Sequence, residues 1–129
     1  MTEDGGMVGY GENMNKSILI VDDEPDFLDV IEVALVMGGY HVTRAKDGRQ
    51  AWEILDSETP GIILSDYSMP RMNGCELFEL VRNSWRGKNM PFIFMSATPE
   101  LISSVGTYSV LRKPFQFDAL MAKVDSMCS

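Results

Sequence analysis

The stretch Ser17-Ile18-Leu19-Ile20-Val21-Asp22-Asp23-Glu24-Pro25 decides how the rest of the chain is read. Ser17 to Val21 is an apolar run rich in β-branched residues with no polar alternation, the pattern of a strand covered on both faces. Acidic residues follow at once. Pro25 then opens a stretch in which Phe27, Leu28, Ile31, Ala34 and Leu35 recur at helical spacing, closed by Gly38-Gly39. A doubly buried strand, a charged turn and an amphipathic helix in that order form the first unit of an α/β sheet.

The same unit repeats outward from there. Tyr40 to Ala45 alternates like a short strand, and Asp47-Gly48 turns the chain into a second helix with Ala51, Trp52, Ile54 and Leu55 at its apolar positions. Pro60-Gly61 breaks that helix, and Ile62 to Ser65 is a third buried strand. The next helix is expected to begin near Gly74 and to bury Leu77, Phe78, Val81 and Trp85, before Gly87 and Pro91 lead into the strand Phe92 to Met95. Thr98-Pro99-Glu100 reads as a capped helix start, with Gly106 keeping that helix short. Tyr108 to Arg112 is the fifth strand. Phe117, Leu120, Met121, Val124 and Met127 mark the last helix. Five strands alternating with five helical patterns predict right-handed crossovers and a parallel sheet covered on both faces, a three-layer α/β domain.

Composition agrees and narrows the function. The 129 residues fit one domain and leave no room for a two-lobed enzyme. A formal charge of −8 argues against direct nucleic-acid binding, since phosphate backbones require a basic footprint; a cation or a basic partner fits better. Cys75 and Cys128 match no metal or redox spacing and read as reduced thiols. No apolar run is long enough for a membrane span, and no secretory signal is visible, so a cytoplasmic protein is expected. Residues 1–15, with four glycines and three methionines, read as a flexible tail, and residues 16–129 as the domain. Gly9-Tyr10-Gly11 precedes the first strand and lacks a third glycine, so it is not a dinucleotide loop. His41 is a lone histidine with no partner in the sequence, and the ten methionines read as core filling plus tail.

In open parallel sheets ligands bind at the carboxyl ends of the strands, which makes the residue after each apolar run the one to inspect. Those positions hold Asp22, Asp23 and Glu24, then Asp66, Ser96, and Lys113 followed by Pro114. Singly each is ordinary. Together, clustered carboxylates repel one another unless a cation joins them, and hard oxygen ligands with room for water suit Mg²⁺ better than zinc. A nearby lysine is a compact charge for a phosphoryl group, so the set points to phosphoryl chemistry at a carboxylate nucleophile.

Val21-Asp22-Asp23-Glu24, Ser65-Asp66-Tyr67-Ser68-Met69-Pro70 with Met72-Asn73-Gly74, Met95-Ser96-Ala97 and Lys113-Pro114-Phe115 resemble the receiver domain of two-component response regulators, from Ser17 to the C-terminus. The resemblance implies a flavodoxin-like (βα)5 doubly wound sheet of strand order 2-1-3-4-5. It implies Asp66 as phosphoacceptor, attacking a phosphohistidine on a sensor histidine kinase or histidine phosphotransfer protein. Asp22, Asp23 and Asp66 would hold Mg²⁺ with the Ser68 backbone carbonyl. Lys113 would pair with phosphoryl oxygens, Ser96 would donate its hydroxyl to one of them, and Pro70, Gly74 and Pro114 would shape the loops. Signalling to a downstream protein would follow from conformational change, with no separate substrate turnover.

Two features depart from the family pattern on the output side. Lys113 follows Ser96 by only seventeen positions, so the fourth helix is expected to shrink to about two turns. Val110 stands where the family commonly places an aromatic that rotates inward; Tyr108 shares its strand parity if no bulge intervenes, which leaves its substitution open. The segment from Ser96 to Tyr108 is the expected switch.

The competing reading is a pseudo-receiver, a phosphorylation-independent interaction module. A haloacid-dehalogenase-like phosphatase is disfavoured because it needs a second Asp two residues after its nucleophile, and here Glu24 and Pro25 hold those places. No output region follows the last helix, so the chain reads either as a stand-alone receiver or as part of a larger protein.

Overall fold

A computed structural model describes residues 16–102 and 107–128. The expected tail, and part of the expected switch segment including Val105, lie outside them. The strands are β1 (Ser17–Val21), β2 (His41–Ala45), β3 (Ile62–Asp66), β4 (Phe92–Ser96) and β5 (Ser109–Arg112). The α-helices are α1 (Pro25–Met37), α2 (Gly48–Ile54), α3 (Gly74–Arg82) and α4 (Phe117–Cys128). All neighbouring strands pair in parallel, in the order β2-β1-β3-β4-β5, as the resemblance implies.

Period-two alternation distributes each strand between two cores. Ile18, Ile20, Ile62, Leu64, Ile93 and Met95 face α1 and α4, meeting Leu28, Ile31, Leu35, Leu120 and Val124. Leu19, Val21, Ile63, Phe92 and Phe94 face the other way onto α2 and α3, meeting Ala51, Leu77, Phe78 and Val81. Phe78, Phe92 and Phe94 are fully buried and pack ring to ring at 4.9 to 5.4 Å. Each such side chain contributes about 1.5–3 kcal/mol of burial.

Helix starts follow local chemistry. The Asp47 side chain caps α2, and Asn73 with Glu76 forms a capping box at α3. The α3 helix therefore begins at Gly74 as expected, but it ends at Arg82, three residues before Trp85. Trp85 is 84% exposed, with the Lys88 ammonium 4.9 Å from its ring centroid, so its expected burial is corrected. Phe117, expected in the apolar stripe of α4, is half-exposed. Tyr40 is buried just before β2 rather than forming its first residue, and His41 is exposed.

The fourth crossover departs furthest from expectation. Instead of about two helical turns, the described residues show a single 3-10 turn, Pro99–Leu101, and the Thr98 side chain does not cap it. Right-handed crossovers place this connection on the α2–α3 side. There Tyr108 and Ile102 pack against the core, the Tyr108 ring meeting Phe94 at 5.0 Å and Phe78 at 5.5 Å. Val110 lies opposite Phe94 in the ladder. The aromatic absent from position 110 is thus supplied two residues earlier, on the same face. Arg82 of α3 ties this region down, donating to the carbonyls of Gly87, Met90 and Thr107.

Candidate functional site

Parallel pairing brings the carboxyl ends of β1, β3, β4 and β5 to one edge, and the residues singled out from the sequence converge there. Asp22 follows β1 directly and is fully buried, its backbone N–H donating to the Ala45 carbonyl at 3.1 Å. Its Oδ1 accepts from the Glu24 N–H at 3.0 Å, and its Oδ2 accepts from Lys113 Nζ at 2.9 Å. Asp66 ends β3 and Lys113 Nζ lies 3.3 Å from its Oδ1. Asp23 is exposed at the mouth, and one oxygen each of Asp22, Asp23 and Asp66 lies within 4.8 Å of the others.

Ser96 ends β4, buried, and its hydroxyl accepts from the Thr98 N–H at 3.0 Å. Its carbonyl accepts from the Lys113 N–H at 2.8 Å, so one backbone bond joins the two residues that carry the hydroxyl and the ammonium. The Lys113–Pro114 peptide is cis. Ser68 and Pro70 are exposed in the loop between β3 and α3. Gly74 closes that loop: its N–H donates to the Tyr67 carbonyl at 2.9 Å, and a Cβ at Gly74 would lie 2.4 Å from the Asp66 carbonyl oxygen.

The electrostatics follow from crowding. Burial, and then the charge of Asp22, push the Asp66 carboxyl up from 3.8 to about 6, against the opposing pull of Lys113. Burial disfavours the Lys113 charge, yet its contacts with Asp22 and Asp66 outweigh that and hold its ammonium above the ordinary lysine range. Three carboxylates sharing one ammonium still carry excess negative charge, and a hard oxygen donor set of this kind suits a divalent cation such as Mg²⁺.

Two contributors were not singled out as site residues in the sequence. The ring centroid of Phe27 lies 4.4 Å from Lys113 Nζ, and Phe27 and Phe115 meet edge to face at 5.9 Å, so aromatic surface flanks the ammonium. Phe27 was read only as an apolar helix position, although its place in the first turn of α1, close after the acidic run, is a signal. Asp47 was read only as part of a turn; it is buried and pairs with Arg71 of the β3–α3 loop at 3.2 Å. No disulfide joins Cys75 and Cys128.

A five-stranded doubly wound sheet with an acidic cluster, a hydroxyl and a lysine at its carboxyl edge defines a receiver-type α/β domain. The chain belongs to the response regulator receiver domain family, whose pattern it matches over residues 18–125. It is 37% identical to the Regulator of RpoS of Escherichia coli over 106 residues, covering 78% of this chain and 31% of that protein. Its fold is similar to the chemotaxis response regulator CheY4 of Vibrio cholerae, with TM-score 0.78, 25% identity, and coverage of 86% of this chain and 97% of that one. It is also similar to the receiver domain of sensor histidine kinase PA1611 from Pseudomonas aeruginosa, which was solved with a magnesium ion coordinated in its active-site cleft. That comparison gives TM-score 0.82 and 29% identity, covering 88% of this chain and 97% of that one. The chain spans between about a quarter and half of the length of the curated relatives it matches. Among the described residues no helix is long and apolar enough to cross a membrane.

Proposed function

We propose that this domain is a phosphoacceptor, taking a phosphoryl group from the phosphohistidine of a sensor histidine kinase or histidine phosphotransfer protein onto Asp66. The observation that carries this reading is the Lys113 ammonium set between the Asp22 and Asp66 carboxylates, with the Ser96 hydroxyl backbone-linked to it on the next strand. An Asp66 oxygen forms the new bond to phosphorus as the P–N bond to imidazole breaks, and the imidazole leaves with the bonding electron pair. Lys113 meets the negative charge of the transferred group, and the Ser96 hydroxyl turns from the Thr98 amide to donate to a phosphoryl oxygen. Asp22, Asp23, Asp66 and the Ser68 carbonyl would hold Mg²⁺, which when bound neutralises charge at the acceptor.

Signalling then passes by conformational change to a downstream protein. The domain is read as cytoplasmic, without separate substrate turnover and without direct nucleic-acid contact, in keeping with its charge of −8. Among the described residues the fourth crossover shows one 3-10 turn, which favours the competing reading of a phosphorylation-independent interaction module. One experiment separates them: incubation with acetyl phosphate and Mg²⁺. A hydroxylamine-labile phosphate that is absent from Asp66→Asn supports the receiver, and no labelling of the parent protein supports the module.

A further inference from the structure

The loop that leads from Asp66 into α3 is fastened from outside the acidic cluster, by the start of α2. We propose that Asp47 and Arg71 form a positioning latch that sets the β3–α3 loop, and with it the Ser68 carbonyl and the Asp66 carboxylate, in the geometry used for metal binding and phosphoryl transfer. This rests on the receiver reading above. Asp47 is 4% exposed and both of its carboxylate oxygens are engaged. Oδ1 accepts from the Gln50 N–H at 2.8 Å and so caps α2, while Oδ2 lies 3.2 Å from the Arg71 guanidinium.

Capping alone does not require that second contact, because Ser, Thr or Asn caps a helix about as well with one oxygen. Arg71 has φ 64°, the left-handed region where glycine is unstrained and a side chain is not. An arginine held there against its backbone preference, with its head on a buried carboxylate, is a side chain in use. The next residue adds a second fastening. The Met72 carbonyl accepts from the Gly48 N–H at 3.2 Å, and a Cβ at Gly48 would come within 2.5 Å of that same oxygen. At the other end of the loop, Tyr67 donates to Met95 and accepts from Gly74, both at 2.9 Å. Ser68, Met69 and Pro70 are thus slung between Tyr67, tied to β4, and Arg71-Met72, tied to α2. Releasing the α2 end frees the stretch that carries the Ser68 carbonyl.

Three variants separate positioning from simple stability. Arg71→Gly removes the latch and also relieves the backbone strain. Asp47→Asn keeps an oxygen to cap α2 but presents an amide donor or a neutral oxygen to Arg71. Arg71→Lys retains a charge that can reach Asp47. Arg71→Gly and Asp47→Asn are expected to weaken Mg²⁺ binding, read by calorimetry, and to slow acetyl phosphate labelling, each by about tenfold, the scale of outer-sphere residues around metal sites. Arg71→Gly is expected to do so with an unfolding midpoint at or above that of the parent, and with faster amide exchange at Gly48 in the metal-free protein. Arg71→Lys is expected to recover part of the affinity. If the parent binds Mg²⁺ and takes the label while Arg71→Gly and Asp47→Asn match it within about twofold, the latch is wrong and the receiver reading stands. A parent that does neither overturns both.

Discussion

The Lys113 ammonium lies 2.9 Å from Asp22 Oδ2 and 3.3 Å from Asp66 Oδ1, so one cation held at the end of β5 joins the carboxylates of β1 and β3. Asp22 has no exposed surface, which makes this ammonium its charge partner in the metal-free protein. Lys113→Gln leaves a buried carboxylate unpaired and is expected to destabilise the fold by about 3 kcal/mol. Saturating Mg²⁺ should recover part of that loss, because a divalent cation meets the same carboxylates. Urea denaturation with and without Mg²⁺ measures both effects; an unchanged midpoint in the metal-free variant shows that the pairing contributes nothing.

Asp66 is expected to make stability depend on pH in an identifiable direction. Its carboxyl is raised from 3.8 in the ordinary state to about 6 in the fold, so the folded chain keeps a proton that the unfolded chain releases. The stabilisation from that proton is complete below pH 4 and fades as pH rises through 6, where the charged group becomes a penalty. Asp66→Asn removes the penalty and should gain about 1–3 kcal/mol at pH 7, with little gain near pH 3.5. Thermal unfolding at the two pH values checks this. A variant less stable than the parent at pH 7 contradicts the assigned environment.

The strands were legible as apolar runs that end in charged or hydroxylic residues, whereas their order was implied by the family resemblance, and residues at strand ends in a parallel sheet must meet. Asp22, Asp66, Ser96 and Lys113 are far apart in the chain but adjacent in the sheet for that reason alone. Trp85 was misplaced because helical spacing continues past the true end of α3. Asn83 and Ser84 close the helix through backbone bonds to Glu79 and Val81, and periodicity carries no mark of that. The fourth crossover was visibly short, yet the packing of Tyr108 on the core and the Arg82 bonds to the carbonyls of Gly87, Met90 and Thr107 beside it are tertiary contacts that periodicity does not mark. The Asp47–Arg71 pair escaped notice because its partners belong to different turns, and a turn aspartate resembles any other cap.

Tyr108 packs on the α2–α3 core beside the fourth crossover, so it should matter more than its half-exposed position suggests. Its ring meets both Phe78 and Phe94 edge to face. Tyr108→Ala removes those contacts and is expected to cost about 2–3 kcal/mol, whereas Val110→Ala should cost about 1 kcal/mol. Amide exchange should quicken in β5 and the start of β4 in the tyrosine variant, since the ring covers that end of the sheet. Equal losses from the two substitutions in urea denaturation show that the aromatic packing has no special weight.

Gly74 couples the stability of the loop to the chemistry of the site. A Cβ there would stand 2.4 Å from the Asp66 carbonyl oxygen and 2.9 Å from Tyr67 Cα, both backbone atoms that cannot swing aside like a flexible side chain. Gly74→Ala must therefore push the first turn of α3 away from β3 or displace the peptide that follows Asp66. Either movement strains the 2.9 Å bond from the Gly74 N–H to the Tyr67 carbonyl, at a cost of about 1–3 kcal/mol. Because the displaced peptide belongs to Asp66 itself, Mg²⁺ affinity should fall along with stability. Cys75→Ala, one residue further into the helix, should leave both near the parent values. Denaturation and Mg²⁺ titration on the two variants read the coupling: a Gly74→Ala protein that is less stable but binds Mg²⁺ as tightly as the parent shows that α3 can shift without moving the carboxylate.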